Sequence, residues 1–209
     1  MIIDVWSDVV CPWCFIGRRR LQKAIAGLGQ GIDITVRHRA FQLNPAATGV
    51  EQTSKMLSEK YKISSEQVND MQAQVCSIAD GEGLCYDLSE TLSGNTRDAH
   101  RLILWADLQG RGDELLEAMY SSYFEKSGSL FDEESLMALV QDVGLDVSSA
   151  RELLASSEFN DVVDQDQQLA AQLGANGVPF YVVDMKYGIS GAQPQEAFDE
   201  TLRKALADT

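Results

Sequence analysis

The stretch Cys11-Pro12-Trp13-Cys14 decides how the amino-terminal part of this chain folds. It follows an apolar, β-branched run over 1–6 that is typical of a buried strand. The segment after it, 15–28, has the periodicity of an amphipathic helix. Both cysteines therefore lie where a strand gives way to a helix. Thiols at this spacing and at such a junction are typical of a pair that alternates between dithiol and disulfide.

The helix start sets the roles that we expect for the two thiols. Unpaired backbone N–H groups and the positive end of the helix dipole favour thiolate over thiol there. A helical wheel puts Cys14 at the edge of the apolar face and rotates Cys11 further toward solvent. We therefore expect Cys11 to attack and Cys14 to resolve. Arg18, one turn after Cys14, is the candidate for a cation that further favours the thiolate, with an ordinary solvated charge as the alternative.

The two residues between the cysteines argue against an inert buried pair, because Pro12 and Trp13 suit an exposed turn better than a core. We expect Trp13 to be exposed enough to contact a substrate. A zinc site is disfavoured because the other cysteines, Cys76 and Cys85, do not form a second closely spaced pair. No metal is therefore predicted. Cys76 and Cys85 are expected to be buried and inert, and a second redox pair is the alternative.

The composition indicates a chain that folds without structural staples. Its 209 residues are 44% hydrophobic, which is enough for one domain or for one domain with an insertion. The net charge of −15 is spread along the chain and would repel a phosphate backbone, so nucleic acid is not expected as a partner. No stretch approaches the ~18 apolar residues of a membrane span, and the early first strand leaves no room for a leader. We therefore expect a cytoplasmic protein without a membrane partner.

The rest of the chain divides into a strand, a long helical stretch and a second strand-containing segment. The second strand is predicted over 32–41, where apolar and polar residues alternate. No strand is predicted in the helical stretch, and its helices are predicted near 50–61, 64–80, 96–109, 113–127, 133–143, 148–156 and 159–173. Further strands are predicted over 178–184 and 187–190, and a last helix over 195–207.

When a helical insertion over 42–157 is set aside, the segments 1–41 and 158–209 form one domain with the order strand, helix, strand, helix, strand, strand, helix. This order, with C-x-x-C opening the first helix and Val178-Pro179 opening the third strand, resembles the thioredoxin fold. The large all-helical insertion makes the chain similar to the DsbA-like thioredoxin-fold oxidoreductases. Four motifs resemble the FrnE branch in particular, and they lie over 8–17, 41–45, 95–102 and 177–193.

The resemblance implies a protein disulfide oxidoreductase in which the Val178–Pro179 bond is cis and lies beside the dithiol. In that arrangement Pro12, Trp13, Val178 and Pro179 would bind the substrate, whose extended chain pairs with the backbone of Val178. The implied partners are protein or small-molecule disulfides and dithiols, together with a redox partner that the sequence does not identify. No bound cofactor is implied, and glutathione is a candidate co-substrate.

Two related families keep an alternative activity open. This chain also resembles the 2-hydroxychromene-2-carboxylate isomerases and the kappa-class glutathione transferases, which share this fold plan. Those families have a serine at the position of Cys11. The thiol favours exchange over a glutathione-dependent isomerase or transferase reaction, which remains the alternative.

Two residues of the third motif, Asn95 and His100, have no role that follows from their chemistry. A histidine on an amphipathic helix is more often packed in the core than catalytic, so we expect His100 to be a packing residue. The aromatic residues at helical spacing nearby are also expected in the core, and they are Trp105, Tyr120, Tyr123 and Phe124.

Overall fold

A computed structural model describes residues 1–29 and 31–208. Its contacts divide the chain into two compact units. The first unit is Met1–Leu43 together with Val162–Thr209, and the second is Asn44–Asp161. The sequence-based division differs from these boundaries by a few residues.

The described elements follow the predicted order closely. In chain order they are β1 (Ile2–Ser7), α1 (Pro12–Gly27), β2 (Thr35–Ala40), β3 (Glu51–Gln52), α2 (Thr53–Tyr61), α3 (Ser65–Gly81), β4 (Leu92–Ser93), α4 (Arg97–Asp107), α5 (Gly112–Glu125), α6 (Glu133–Asp142), α7 (Val147–Ala155), α8 (Asn160–Gln172), β5 (Phe180–Val183), β6 (Tyr187–Ser190) and α9 (Gln195–Ala207). Among the described residues, no helix is long and apolar enough to cross a membrane.

The first unit is built on a four-stranded sheet with the order β2-β1-β5-β6. Strand β1 is central, because it pairs in parallel with β2 and antiparallel with β5. Strand β5 then pairs antiparallel with β6. A core of apolar side chains from β1, α1, β5, β6 and α9 packs on one face of this sheet, and it includes Ile3, Leu21, Tyr181, Val183, Phe198 and Leu202.

Helix starts in the second unit agree with their sequence signals. The Ser64 hydroxyl accepts a hydrogen bond from Gln67 N, and the Gln67 side chain accepts one from Ser64 N, which completes a capping box before α3. Asp132 accepts from Ser135 N in the same way before α6. These caps satisfy backbone donors that the first helical turn leaves unpaired.

The prediction that the helical stretch contains no strand is wrong. Strand β3 pairs antiparallel with β4, and Thr53 N extends the ladder by donating to Thr91 O over 2.9 Å. Each of these strands has only two residues, which is too short for the alternation by which a strand is detected in sequence. The second predicted strand, 32–41, is also shorter than expected, because its pairing with β1 begins at Thr35.

A chain of ion pairs ties β1, β2 and α8 together. Asp4 accepts from Arg37 over 2.7 Å and from Arg39 over 2.8 Å, although Asp4 itself is only 1% exposed. Arg39 also contacts Asp166 over 3.2 Å, and the second oxygen of Asp166 accepts from Ala40 N over 3.0 Å. Burial raises the cost of leaving any of these carboxylates unpaired, so the network has to remain complete.

We expect Asp166→Ala to lower the free energy of unfolding by about 2–4 kcal/mol, because Ala40 N loses its acceptor and Arg39 loses a partner. Urea unfolding of the whole chain measures this. The matched control is Asp164→Ala, on the exposed side of the same helix, which should change stability by less than about 0.5 kcal/mol. Equal losses in the two variants would contradict the role given to the network.

Candidate functional site

The dithiol segment forms a tight turn that begins α1. Cys11 is the N-cap residue and Pro12 is the first helical residue, a position at which proline costs no hydrogen bond. Cys11 N donates to Asp8 O over 3.1 Å, and Cys14 N donates to Cys11 O over 2.9 Å. The turn therefore fixes both cysteines against the backbone of the strand-to-helix junction.

Both sulfurs are buried, and they are not bonded to each other. Cys11 is 4% exposed and Cys14 is 2% exposed. The expected rotation of Cys11 toward solvent is therefore wrong. A helical wheel does not apply to Cys11, because its φ of −94° and ψ of 110° are extended rather than helical. Trp13 is 37% exposed between the two buried sulfurs, as expected.

The start of β5 lies directly against the Cys11 sulfur. Cys11 Sγ is 3.5 Å from Val178 O, within the distance of a weak S–H hydrogen bond. The Val178–Pro179 peptide bond is cis. Val178 is half-buried and Pro179 is buried. The structure thus brings together the dithiol and the Val-Pro pair, which are far apart in sequence.

Burial determines the protonation of the Cys14 thiol. Burial raises the pKa of the Cys14 thiol well above its ordinary value, and a hydrogen bond to Cys11 and the charge there raise it further. A backbone hydrogen bond from Asp8 acts in the opposite direction, while the Asp8 carboxylate raises the pKa. Cys14 is therefore a protonated thiol near neutral pH.

Asp8 is a buried carboxylate that the sequence analysis did not single out. It is 1% exposed, and its Oδ2 accepts from Leu43 N over 2.7 Å. This bond fixes the chain after β2 beside the dithiol turn, since Asp8 O also accepts from Cys11 N. Its position three residues before Cys11 is the signal that could have indicated it.

Comparison with known proteins agrees with this geometry. The DSBA-like thioredoxin domain matches residues 2–203. The chain belongs to that family. The predicted fold class, an α/β thioredoxin-like fold with a helical insertion, is confirmed.

Three solved structures illustrate the range of proteins in this DsbA-like fold. A probable DsbA oxidoreductase from Streptomyces coelicolor is 39% identical, with a TM-score of 0.96, and the match covers 100% of this chain and 91% of that chain. A 2-hydroxychromene-2-carboxylate isomerase is 17% identical, with a TM-score of 0.72 and coverage of 100% and 97%. The cytosolic disulfide reductase DsbM from Pseudomonas aeruginosa, also solved with GSH, is 15% identical, with a TM-score of 0.69 and coverage of 100% of both chains. The last two show similarity of fold alone.

Arg18 of this DsbA-like chain is half-buried one turn after Cys14. Its charge and that of Arg20 lower the pKa of Tyr181, although burial of the Tyr181 hydroxyl has a larger and opposite effect. The positive charges of α1 thus act on the buried Tyr181 hydroxyl. The role of Arg18 in favouring the Cys11 thiolate stays a prediction.

Tyr181 and Gly17 are site residues that sequence reasoning missed. A Cβ atom at Gly17 would lie 2.2 Å from Tyr181 Oη and 3.1 Å from Pro179 Cγ. Glycine is therefore required where α1 crosses β5. A tyrosine in an apolar strand gives no sequence signal for this contact, because the contact depends on which helix residue faces it.

The remaining cysteines differ from the prediction. Cys76 is half-buried and Cys85 is exposed, and neither is bonded. The expectation that both are buried is wrong for Cys85, because the preceding residue, Leu84, takes the buried position at 2% exposure. Cys85 N donates to the Glu125 carboxylate over 3.1 Å. Burial raises the pKa of Cys76.

Asn95 and His100 have structural surroundings in the second unit. The Asn95 side chain donates to Pro45 O over 2.9 Å and accepts from Arg97 N over 2.9 Å at the start of α4. His100 is 4% exposed, in agreement with a packing role. The nearby aromatic residues Tyr120, Tyr123 and Phe124 are buried as expected, and Trp105 is half-buried. In the described ranges, no group of three or more His, Cys, Asp or Glu side chains is placed to hold a metal ion.

We expect Gly17→Ala to lower the free energy of unfolding by about 1–3 kcal/mol, because the new methyl group overlaps the Tyr181 hydroxyl. Most of the loss should disappear in the Gly17→Ala/Tyr181→Phe double variant, which removes the overlapping oxygen. A double-mutant cycle measured by thermal unfolding tests this coupling. The control is Gly27→Ala in the same helix, where a Cβ atom meets nothing within 4 Å. Additive effects of the Gly17 and Tyr181 changes would contradict the contact.

Proposed function

We propose that this chain is a protein disulfide oxidoreductase that works by thiol–disulfide exchange at Cys11 and Cys14. The observation that carries the proposal is the position of the Cys11 sulfur, 3.5 Å from the carbonyl oxygen of Val178, with the protonated Cys14 thiol beside it. An attacking sulfur, a resolving thiol and a backbone group for the substrate are the three parts that such a reaction needs. Family membership supports the same class of chemistry.

The exchange proceeds through one mixed disulfide. The Cys11 thiolate attacks one sulfur of a substrate disulfide, that S–S bond breaks, and the other substrate sulfur leaves as a thiolate. Cys14 then loses its proton and attacks the Cys11 sulfur. The mixed disulfide breaks, the second substrate sulfur leaves, and Cys11 and Cys14 are joined. The same steps in reverse oxidise a dithiol substrate.

The raised pKa of Cys14 supports this order of attack. Cys14 is held as a thiol by burial and by its hydrogen bond to Cys11, so it does not compete for the substrate. In this proposal the backbone of Val178 and the exposed ring of Trp13 hold the substrate, together with the half-buried Pro12 and the buried Pro179 that follows Val178. Recognition through backbone groups is tolerant of sequence, which suits a protein substrate.

The finer assignments belong to the same proposal. The motifs resemble the FrnE branch, and we propose a cytoplasmic enzyme that needs no bound cofactor and no metal. Its partners are protein or small-molecule disulfides and dithiols and a separate redox partner, with neither nucleic acid nor membrane involved. Glutathione is a candidate co-substrate, and a disulfide reductase of this fold has been solved with GSH.

A glutathione-dependent isomerase or transferase reaction is the second candidate, favoured by the fold that this chain shares with 2-hydroxychromene-2-carboxylate isomerase. The two candidates differ in what they require at position 11. Exchange requires sulfur there, because oxygen forms no disulfide. In the alternative, a serine at position 11 would retain activity.

We expect Cys11→Ser to abolish reduction of insulin, whereas Cys14→Ser should accumulate a mixed disulfide with the substrate because the resolving thiol is gone. Insulin turnover and a non-reducing gel measure the two effects. Turnover of a chromene carboxylate by Cys11→Ser, with no insulin reduction by the unmodified chain, would instead support the isomerase. Equal loss in both variants without an adduct would contradict the order of attack.

We also expect the double variant Cys76→Ala/Cys85→Ala to retain insulin reduction within about twofold, because substitutions away from the reacting groups have small effects. These cysteines lie in the second unit and the dithiol lies in the first. Loss of turnover with unchanged thermal unfolding would show that the second pair takes part in the reaction.

A further inference from the structure

The hydroxyl group of Tyr181 is a buried polar group that the exchange proposed above does not use. Tyr181 is 1% exposed, and its Oη has no hydrogen-bond partner within residues 1–29 and 31–208. Its ring packs edge-on against Phe198, with the ring centroids 5.0 Å apart. A buried hydroxyl without a partner costs free energy, so an otherwise equivalent phenylalanine would fold at least as well.

The Tyr181 hydroxyl lies against the helix that begins with the dithiol. Its oxygen occupies the space beside Gly17, where a Cβ atom would approach to 2.2 Å. Gly17 follows Cys14 by one helical turn on the same face, and Tyr181 shares a strand face with Pro179. The charges of Cys14 and Cys11 both raise the pKa of Tyr181, which places the hydroxyl within electrostatic reach of both sulfurs. Because burial raises the pKa as well, the hydroxyl stays protonated and can donate.

The resolving step creates a need for such a donor. In the dithiol the Cys14 sulfur is hydrogen-bonded to Cys11. That partner is consumed when the Cys11 sulfur bonds to a substrate. Cys14 must then become a thiolate in a buried position, beside the negative charge of Asp8, with the Asp8 backbone hydrogen bond in its favour. Each additional donor lowers the free energy of a buried anion.

We propose that the Tyr181 hydroxyl donates a hydrogen bond to the Cys14 thiolate during resolution of the mixed disulfide. The tyrosine keeps its proton throughout, and the proton lost by Cys14 goes to solvent or to the departing substrate thiolate. Because the Tyr181 hydroxyl has no hydrogen bond within the described residues, it has to move toward the Cys14 sulfur in the mixed disulfide. This inference rests on the proposed exchange reaction and gives Tyr181 a role in its second step, the attack of Cys14.

The test is made in the Cys76→Ala/Cys85→Ala background, because the exposed Cys85 thiol would also react. It separates the two steps with dithiobis-nitrobenzoate, a disulfide that releases one coloured thiolate when Cys11 attacks and a second when Cys14 resolves. We expect Tyr181→Phe to slow the second release about tenfold, since a hydrogen bond to a charged group is lost, and to leave the first unchanged. The pH at which the second release reaches half its maximal rate should also rise. Tyr120→Phe, which removes a buried hydroxyl from the second unit, should change neither release.

A second measurement covers the case in which Tyr181→Phe perturbs folding. Replacing all tyrosines by fluorotyrosine makes the hydroxyl a stronger donor, and it should accelerate the second release without changing the first. An unchanged second release, or equal slowing of both releases in a folded Tyr181→Phe variant, would overturn the assignment. Absence of any second release from the chain with Tyr181 unchanged would instead overturn the exchange reaction itself.

Discussion

The contact between Gly17 of α1 and the Tyr181 side chain of β5 is the constraint on which the rest of the site depends. The two elements meet at Gly17, where a Cβ atom would lie 2.2 Å from Tyr181 Oη. The Tyr181 side chain reaches from β5 to α1 and ends against Gly17, and at the start of the same helix Cys11 Sγ lies 3.5 Å from Val178 O. A larger residue at position 17 would overlap the end of the Tyr181 side chain. The buried ion pairs of Asp4 hold the neighbouring strands in place beneath it.

Burial of both sulfurs restricts how a substrate can approach. Cys11 and Cys14 are almost inaccessible, whereas Trp13 between them is 37% exposed. In the proposed exchange, a disulfide would reach Cys11 from the side of Val178, where the half-buried backbone would offer hydrogen-bonding groups to an extended chain. The same burial removes water, which strengthens every electrostatic interaction around the sulfurs.

Sequence signals from neighbouring residues predicted the helices and most strands of this fold. They did not predict the contacts between residues that are far apart in the chain. The capping sequences at Ser64 and Asp132 and the periodicity of each helix depend on neighbouring residues, so they are visible in the chain itself. The burial of Cys11 is not visible in the sequence, because its extended backbone and its contact with the residue that precedes β5 follow from tertiary structure. The exposure of Cys85 and the contact of Gly17 with β5 were missed for the same reason. A two-residue ladder such as β3–β4 is too short to leave a pattern.

The surroundings of Cys14 also explain how its sulfur can be a protonated thiol first and an attacking thiolate later in the proposed exchange. Before a substrate binds, burial and the hydrogen bond to Cys11 keep Cys14 protonated. Once Cys11 forms a bond to the substrate, its sulfur carries no negative charge. One of the causes that raise the pKa of Cys14 is then lost. Covalent attachment of the substrate is thus itself the event that prepares Cys14 to attack.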